Sequence, residues 1–259
     1  MKRFFFQSYI SFKALFGWLN LEAYLLIKII NPLLQILFFS ILSKYVFQTD
    51  NIAPWIIGNS ILLSTKNAIY GVGKVLVDER NMGTLKLIVA SPGSNFLIFA
   101  GRGFMHIFDA LITVTVGLLV GFLFFDFSIA MSNLFLFAVA ILISLYSAMA
   151  IGQVISCLGL VYRDIHMLLN VSEYLLIILT GASFPISRLP LFLQGFSRFL
   201  PVTRGVEAAR MLTSQYDLIV LLKLLMQEFL IGSLYLFAGY FSFKLLENLS
   251  RRKASLDMY

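Results

Sequence analysis

Runs of mostly apolar residues, each long enough to matter and separated by short polar connectors, recur along the whole chain. A helix needs about 20 such residues to cross the hydrocarbon of a bilayer. Runs at 24–43, 52–76, 99–125, 134–161, 167–184 and 218–246 meet that need, so the pattern predicts about six membrane-spanning helices. Helices suit lipid because each satisfies its own backbone N–H and C=O groups. The expectation is an all-α polytopic membrane protein, with residues 1–259 forming one transmembrane domain. Composition agrees: 59% of residues are hydrophobic and 13% charged, against about 45–50% and 25% in soluble domains. With the spans placed, 259 residues leave no room for a soluble catalytic or nucleotide-binding domain of ordinary size.

Lys and Arg together number 20 against 13 Asp and Glu, a net charge of +7. In a soluble protein that excess points to nucleic acid. In an apolar chain it sets topology and membrane anchoring, so the expected partner is the lipid bilayer and not nucleic acid. Cys157 is the single cysteine and lies in an apolar run, while His106 and His166 are the only histidines. An intramolecular disulfide is excluded, and neither a metal site nor a cofactor of this chain's own is expected.

The chain opens Met1-Lys2-Arg3-Phe4-Phe5-Phe6, yet Gln7, Ser8, Ser11 and Lys13 interrupt the apolar run and no small-x-small cleavage site follows. Retention of this segment is expected. Phe5, Tyr9, Phe12, Phe16 and Leu19 fall on one helical stripe, which predicts an amphipathic helix over 4–20 lying in the membrane interface. An even number of spans puts both termini on one side. With that side cytoplasmic, thirteen basic residues face inward and six outward, as the positive-inside rule requires. The exceptions are Arg188, Arg198, Arg204 and Arg210, in a stretch (185–216) that also holds Pro190 and Pro201. It is too interrupted to span and too apolar to float free, so two external re-entrant helices are expected, with the partners of these arginines left open.

Several ionisable residues fall inside or near the predicted spans: Lys66, His106, Asp109, Glu173 and Glu228. Such groups are costly in hydrocarbon and are often functional. Lys66 with Glu173 or Glu228 makes either an interhelical pair or the lining of a transport path. His106 and Asp109, one helical turn apart, make either a satisfied pair or a proton relay, and the relay would suit a proton-coupled carrier. Lys28 is placed to snorkel, Asn31-Pro32 to kink its helix, and Gly117 with Gly121 to let two helices approach closely.

Nothing in the sequence reads as an enzyme. Gly71-Val72-Gly73-Lys74-Val75 has Ala68 where a phosphate loop needs its first Gly and Val75 where it needs a hydroxyl. Gly181-Ala182-Ser183-Phe184 lacks the second Gly of a serine-protease loop, and the last span carries no His to act as base.

The longest polar interruption, 77–95, follows the second span and contains Asp78-Glu79-Arg80-Asn81-Met82-Gly83-Thr84-Leu85-Lys86-Leu87-Ile88-Val89-Ala90-Ser91-Pro92. Met82, Leu85 and Val89 share a helical face beside the charges of Glu79, Arg80 and Lys86, which suits a short helix docking on a soluble partner. The Glu-Arg-x-x-Gly-Thr-Leu element followed by Ser-Pro resembles the membrane subunits of ABC type-2 exporters. Tyr162-Arg163-Asp164 before span five, the Pro-containing stretch after it, Leu200-Pro201 and Val206-Glu207-Ala208-Ala209-Arg210 extend the likeness over most of the chain. The resemblance implies a permease subunit in a prokaryotic plasma membrane. Its partners would be a second permease copy or paralogue and a separate ATP-binding subunit holding ATP and Mg. Residues 78–92 would then be the cytoplasmic coupling helix, with Glu79, Arg80, Gly83, Thr84 and Leu85 transmitting motion. Gly83 would permit a tight turn, Thr84 would cap the following helix, and Glu79 and Arg80 would offer charged contacts. Arg163 and Asp164 would make a second contact or a local ion pair. The cargo implied is an amphipathic small molecule, peptide or lipid-like compound, with a lipid-linked polysaccharide as the alternative.

Overall fold

The computed structural model describes residues 21–49, 51–90, 95–125, 128–162, 164–214 and 216–252. The interfacial helix expected at 4–20, Ser91-Pro92 and Arg163 lie outside them. All regular structure among the described residues is helical. Helix α1 (Leu21–Leu25) passes through a π turn (Leu26–Ile30) into α2 (Asn31–Phe47), followed by α3 (Ala53–Asn81) and the short α4 (Leu85–Ala90). Then come α5 (Asn95–Phe104), α6 (His106–Phe124), α7 (Leu134–Leu158) and α8 (His166–Leu179). Two short helices, α9 (Leu191–Ser197) and α10 (Thr203–Met211), precede the long α11 (Leu218–Arg252). They occupy the stretch where two short helices are expected.

Local chemistry explains several boundaries. Where a kink is expected at Asn31-Pro32, the helix widens into the π turn, and the Asn31 N–H reaches back to the Leu26 carbonyl. Pro32 has no N–H to give, so widening the turn ahead of it accommodates the ring without breaking the helix. Helix α2 stops at Gln48, which adopts a left-handed φ of 47°. Asp164 accepts a hydrogen bond from the His166 N–H at 2.8 Å and so opens α8.

Helix α3 is the centre of the bundle, packed against α2, α5, α6, α7, α8 and α10. Ile56, Ile57, Ile61 and Ile69 join Ala110, Val114, Leu145, Ala148 and Val206 in one apolar core. Three buried hydroxyls of α3 are satisfied within the helix: Ser60 and Ser64 donate to Ile56 and Ser60 carbonyls at 2.7 Å, and Thr65 to Ile61 at 2.8 Å. Gly117 of α6 approaches so closely that a Cβ there would run into Ser60 Oγ and meet Ile36 Cδ1 at 2.5 Å. The packing expected of that glycine is therefore observed.

Among the described residues, four helical segments are long and apolar enough to cross a membrane: Leu26–Phe47, Asn95–Phe124, Met131–Leu158 and Leu218–Leu249. The other two expected spans differ for separate reasons. Helix α3 has 29 residues but is surrounded by protein, so it carries polar groups that a lipid-facing helix would not. Helix α8 is apolar but has only 14 residues.

Candidate functional site

The site expected at 78–92 is an elbow and not one continuous helix. Helix α3 ends at Asn81, the chain turns through Met82, Gly83 and Thr84, and α4 starts at Leu85. Gly83 takes a φ of 71°, and the Gly83 and Thr84 N–H groups return to the Arg80 and Glu79 carbonyls, each at 3.0 Å. A residue without a Cβ suits that left-handed turn. Thr84 opens α4 with its carbonyl, which accepts from the Ile88 N–H at 3.1 Å. Its hydroxyl points the other way and donates to the Glu79 carboxylate.

The turn splits the face that Met82, Leu85 and Val89 are expected to share. Leu85 and Val89 are buried with Val75, Leu76, Phe99, Cys157, Leu160 and Phe243 in a second apolar cluster beneath α4. Met82 is instead 56% exposed and Leu87 is 73% exposed. Glu79 and Arg80 also turn inward. Glu79 pairs with Arg102 of α5, and an Arg80 guanidinium nitrogen donates to the Leu160 carbonyl at 2.6 Å, at the end of α7. Glu79 and Arg80 therefore tie the elbow to the rest of its own protein. The outward surface includes Met82, Lys86 and Leu87.

Arg102 and Leu87 are additions to the sequence-based set. Position 87 falls off the Leu85/Val89 stripe, so its outward direction is readable from the periodicity. The pairing of Arg102, 23 residues from Glu79 in sequence, is not.

The charges expected within the membrane sort themselves by helix contact. Lys66 pairs with Glu173 of α8 at 2.5 Å, and the Tyr70 hydroxyl donates to the same carboxylate at 3.2 Å. The pair borders a cavity of about 110 Å³ between α2, α3 and α8, whose apolar wall includes Phe39, Leu62, Leu63, Leu176 and Ile177. Glu228 is fully buried and far from that role. It accepts the Val202, Arg204 and Gly205 N–H groups at 2.5, 3.1 and 3.3 Å and the Ser147 hydroxyl, holding the start of α10 against α7 and α11. Asp109 pairs with Lys28 at 2.5 Å, so Lys28 is held in the bundle and does not snorkel.

The 185–216 arginines find partners too. Arg210 donates to the carbonyls of Pro54, Gly181 and Ala182 at 2.5–2.6 Å, and its guanidinium fills the space where Gly58 lacks a side chain. Arg188 lies over the Phe47 ring, 5.1 Å from its centroid. The Gly71–Lys74 stretch lies in the interior of α3, so it is not a loop of any kind.

This combination defines a class: a helical membrane bundle with a short elbow helix seated at one end of its central helix. The chain belongs to the ABC-2 type transporter family, whose sequence profile matches residues 13–214. It is thus a multi-pass permease subunit of an ABC transporter, and membership implies partnership with an ATP-binding ABC subunit. No curated protein matches the chain.

Proposed function

We propose that this chain is the membrane-crossing half of an ATP-driven exporter in a prokaryotic plasma membrane, with six spans and both termini in the cytoplasm. Helices α3 and α8 would join the four apolar spans. At about 1.5 Å rise per residue, the 29 residues of α3 reach about 43 Å, more than enough for a core about 30 Å thick.

The observation that carries the reading is the elbow at 82–90, which exposes Met82 and Leu87 and is anchored inside. Met82 and Leu87 supply the exposed apolar contact that a groove in the ATP-binding subunit accepts, and the inward ties carry the force. A push on α4 reaches α5 through Glu79 and Arg102, and the α7–α8 connector through Arg80 and the Leu160 carbonyl. The partner holds ATP and Mg, and its closure tilts the spans. Each nucleotide step shifts the inward and outward states only by its differential affinity for them, so these ties must change between the two.

The cargo is an amphipathic small molecule, peptide or lipid-like compound. The lining of the cavity beside Lys66 and Glu173 supports this, since it combines apolar side chains with Gln35, Asn59 and one ion pair. A second permease copy or a paralogue would cover the side of α2 and α8 on which Phe38, Tyr45, Met167 and Tyr174 are exposed.

The test uses Met82→Cys, because the native Cys157 is only 1% exposed and stays silent. A membrane-impermeant maleimide should label the introduced thiol in inside-out vesicles and not in intact cells, and binding of the ATP-binding subunit should block it. Labelling of intact cells would overturn the reading, as would uphill transport by the chain without its partner.

A further inference from the structure

A second pocket, of about 410 Å³, lies between α10, α11 and the residue that follows α9, and its wall carries Arg198, Thr203, Arg204, Glu207 and Gln227. That volume falls within the roughly 300–1,000 Å³ usual for ligand sites. Arg198 stands just past the end of α9 and is exposed. Arg204, in the first turn of α10, gives its Nε to Gln227 Oε1 at 3.0 Å and another nitrogen to the Arg198 carbonyl at 2.5 Å. Among the described residues, no carboxylate lies within ion-pairing distance of either guanidinium.

Thr203 supplies the independent sign of a ligand. It is 3% exposed, its hydroxyl has no hydrogen-bond partner among the described residues, and it lines this same pocket. A buried hydroxyl left unsatisfied is costly, and this one belongs to a residue that lines the pocket together with the two arginines. With Glu207 counted, two cations face one anion. Arginine forks match phosphate oxygens, while Glu207 suits the hydroxyl or ammonium of a headgroup. The neighbouring surface indicates where the phosphate comes from. Leu191, Phe192, Phe196 and Phe199, on and just after α9, are between 63% and 85% exposed. Large apolar side chains next to arginines match the level at which acyl chains meet headgroups.

We propose that this pocket binds the phosphate of a membrane phospholipid. Arg198 and Arg204 hold its oxygens, Thr203 donates a hydrogen bond, and the acyl chains run beside Phe196 and Phe199. The bound lipid braces α9 and α10 against α11. The proposal rests on the exporter reading only for the leaflet, which is then the outer one.

The full chain, purified in a maltoside detergent, is titrated with dioctanoylphosphatidylglycerol, with dioctanoylglycerol and with inorganic phosphate, and adducts are counted by native mass spectrometry. The phospholipid should bind at least about tenfold more tightly than either other probe, and Arg198→Gln should weaken it by about tenfold, as expected for loss of a charged hydrogen bond. Equal binding of the phosphate-free lipid would reduce the site to acyl contact, and equal binding of inorganic phosphate would remove the lipid; either overturns the proposal. So does an unchanged affinity in Arg198→Gln. Thr203→Val, nearly the same shape without the donor, should also weaken the phospholipid selectively and covers the case in which the arginine variant fails to fold. The titration needs neither ATP nor the partner subunit, so its failure is separable from failure of the exporter reading.

Discussion

Glu79 of α3 and Arg102 of α5 form an ion pair with side chains 12% and 20% exposed, and the same carboxylate takes the Thr84 hydroxyl. One acidic group thus joins three consecutive parts of the chain around the elbow. Removing one member of a pair this sheltered leaves the other charge poorly compensated, at a cost of about 1–3 kcal/mol. Glu79→Ala should lower the unfolding temperature in detergent and reduce coupled ATPase activity. Capture of the ATP-binding subunit should stay within about twofold, since the carboxylate points inward. A selective loss of capture, with stability unchanged, would place Glu79 in the partner contact instead.

Leu87→Asp should do the opposite. The side chain is exposed at the elbow, so the fold should tolerate the change. Loss of an apolar group of that size from an interface is worth about 2 kcal/mol, or about thirtyfold in affinity. Pull-down with the ATP-binding subunit and thermal unfolding, measured on the same preparation, separate the two effects.

Gly83 tests backbone conformation alone. A Cβ there would meet nothing within 4 Å, while φ stands at 71°. Gly83→Ala should therefore cost about 1–2 kcal/mol from the left-handed conformation. Gly83→Asn should cost less, because Asn tolerates that region. An unfolding-temperature order of Gly, Asn, Ala, then Val is expected.

Two helical glycines should respond with opposite sign. Gly117→Ala drives a methyl into Ser60 and Ile36, an overpacking expected to cost about 1–3 kcal/mol. Gly195 of α9 has open space around it, so Gly195→Ala should be neutral or stabilise by up to about 1 kcal/mol through helix propensity. Thermal unfolding of both variants in one detergent checks the contrast.

Arg210 and Glu228 anchor the short helices in different ways, and conservative variants should expose this. Arg210→Lys keeps the charge but not a fork able to reach three carbonyls, so it should loosen 185–216 and raise protease cleavage there. Glu228→Gln retains one acceptor oxygen for what two oxygens now satisfy, and should destabilise by about 1–3 kcal/mol. Unchanged proteolysis in both would refute their anchoring role.

Some of this arrangement was legible in the chain. The stripe through Leu85 and Val89 marks the buried side of α4, and Gly83 marks its turn, since periodicity and backbone strain act over a few residues. The prolines and arginines of 185–216 likewise announce short helices. Less was legible where position depends on neighbours. Helix α3 carries Ser60, Ser64 and Thr65 because other helices shield it from lipid, and composition alone does not reveal such shielding. Met82 departs from the Leu85/Val89 face because the turn at 82–84 breaks the helical register between it and α4.

Read alone, the order of residues decided the class of the molecule: apolar runs of spanning length, short connectors and the Glu79–Leu85 element are local properties, carried by each segment wherever it packs. Packing decided the partners. Lys66 meets Glu173 and not Glu228, Lys28 meets Asp109, and Glu79 turns toward Arg102, because an ion pair depends on which helices are neighbours and how they are rotated. Those rotations are set by the buried contacts of the whole bundle, and no single segment contains them.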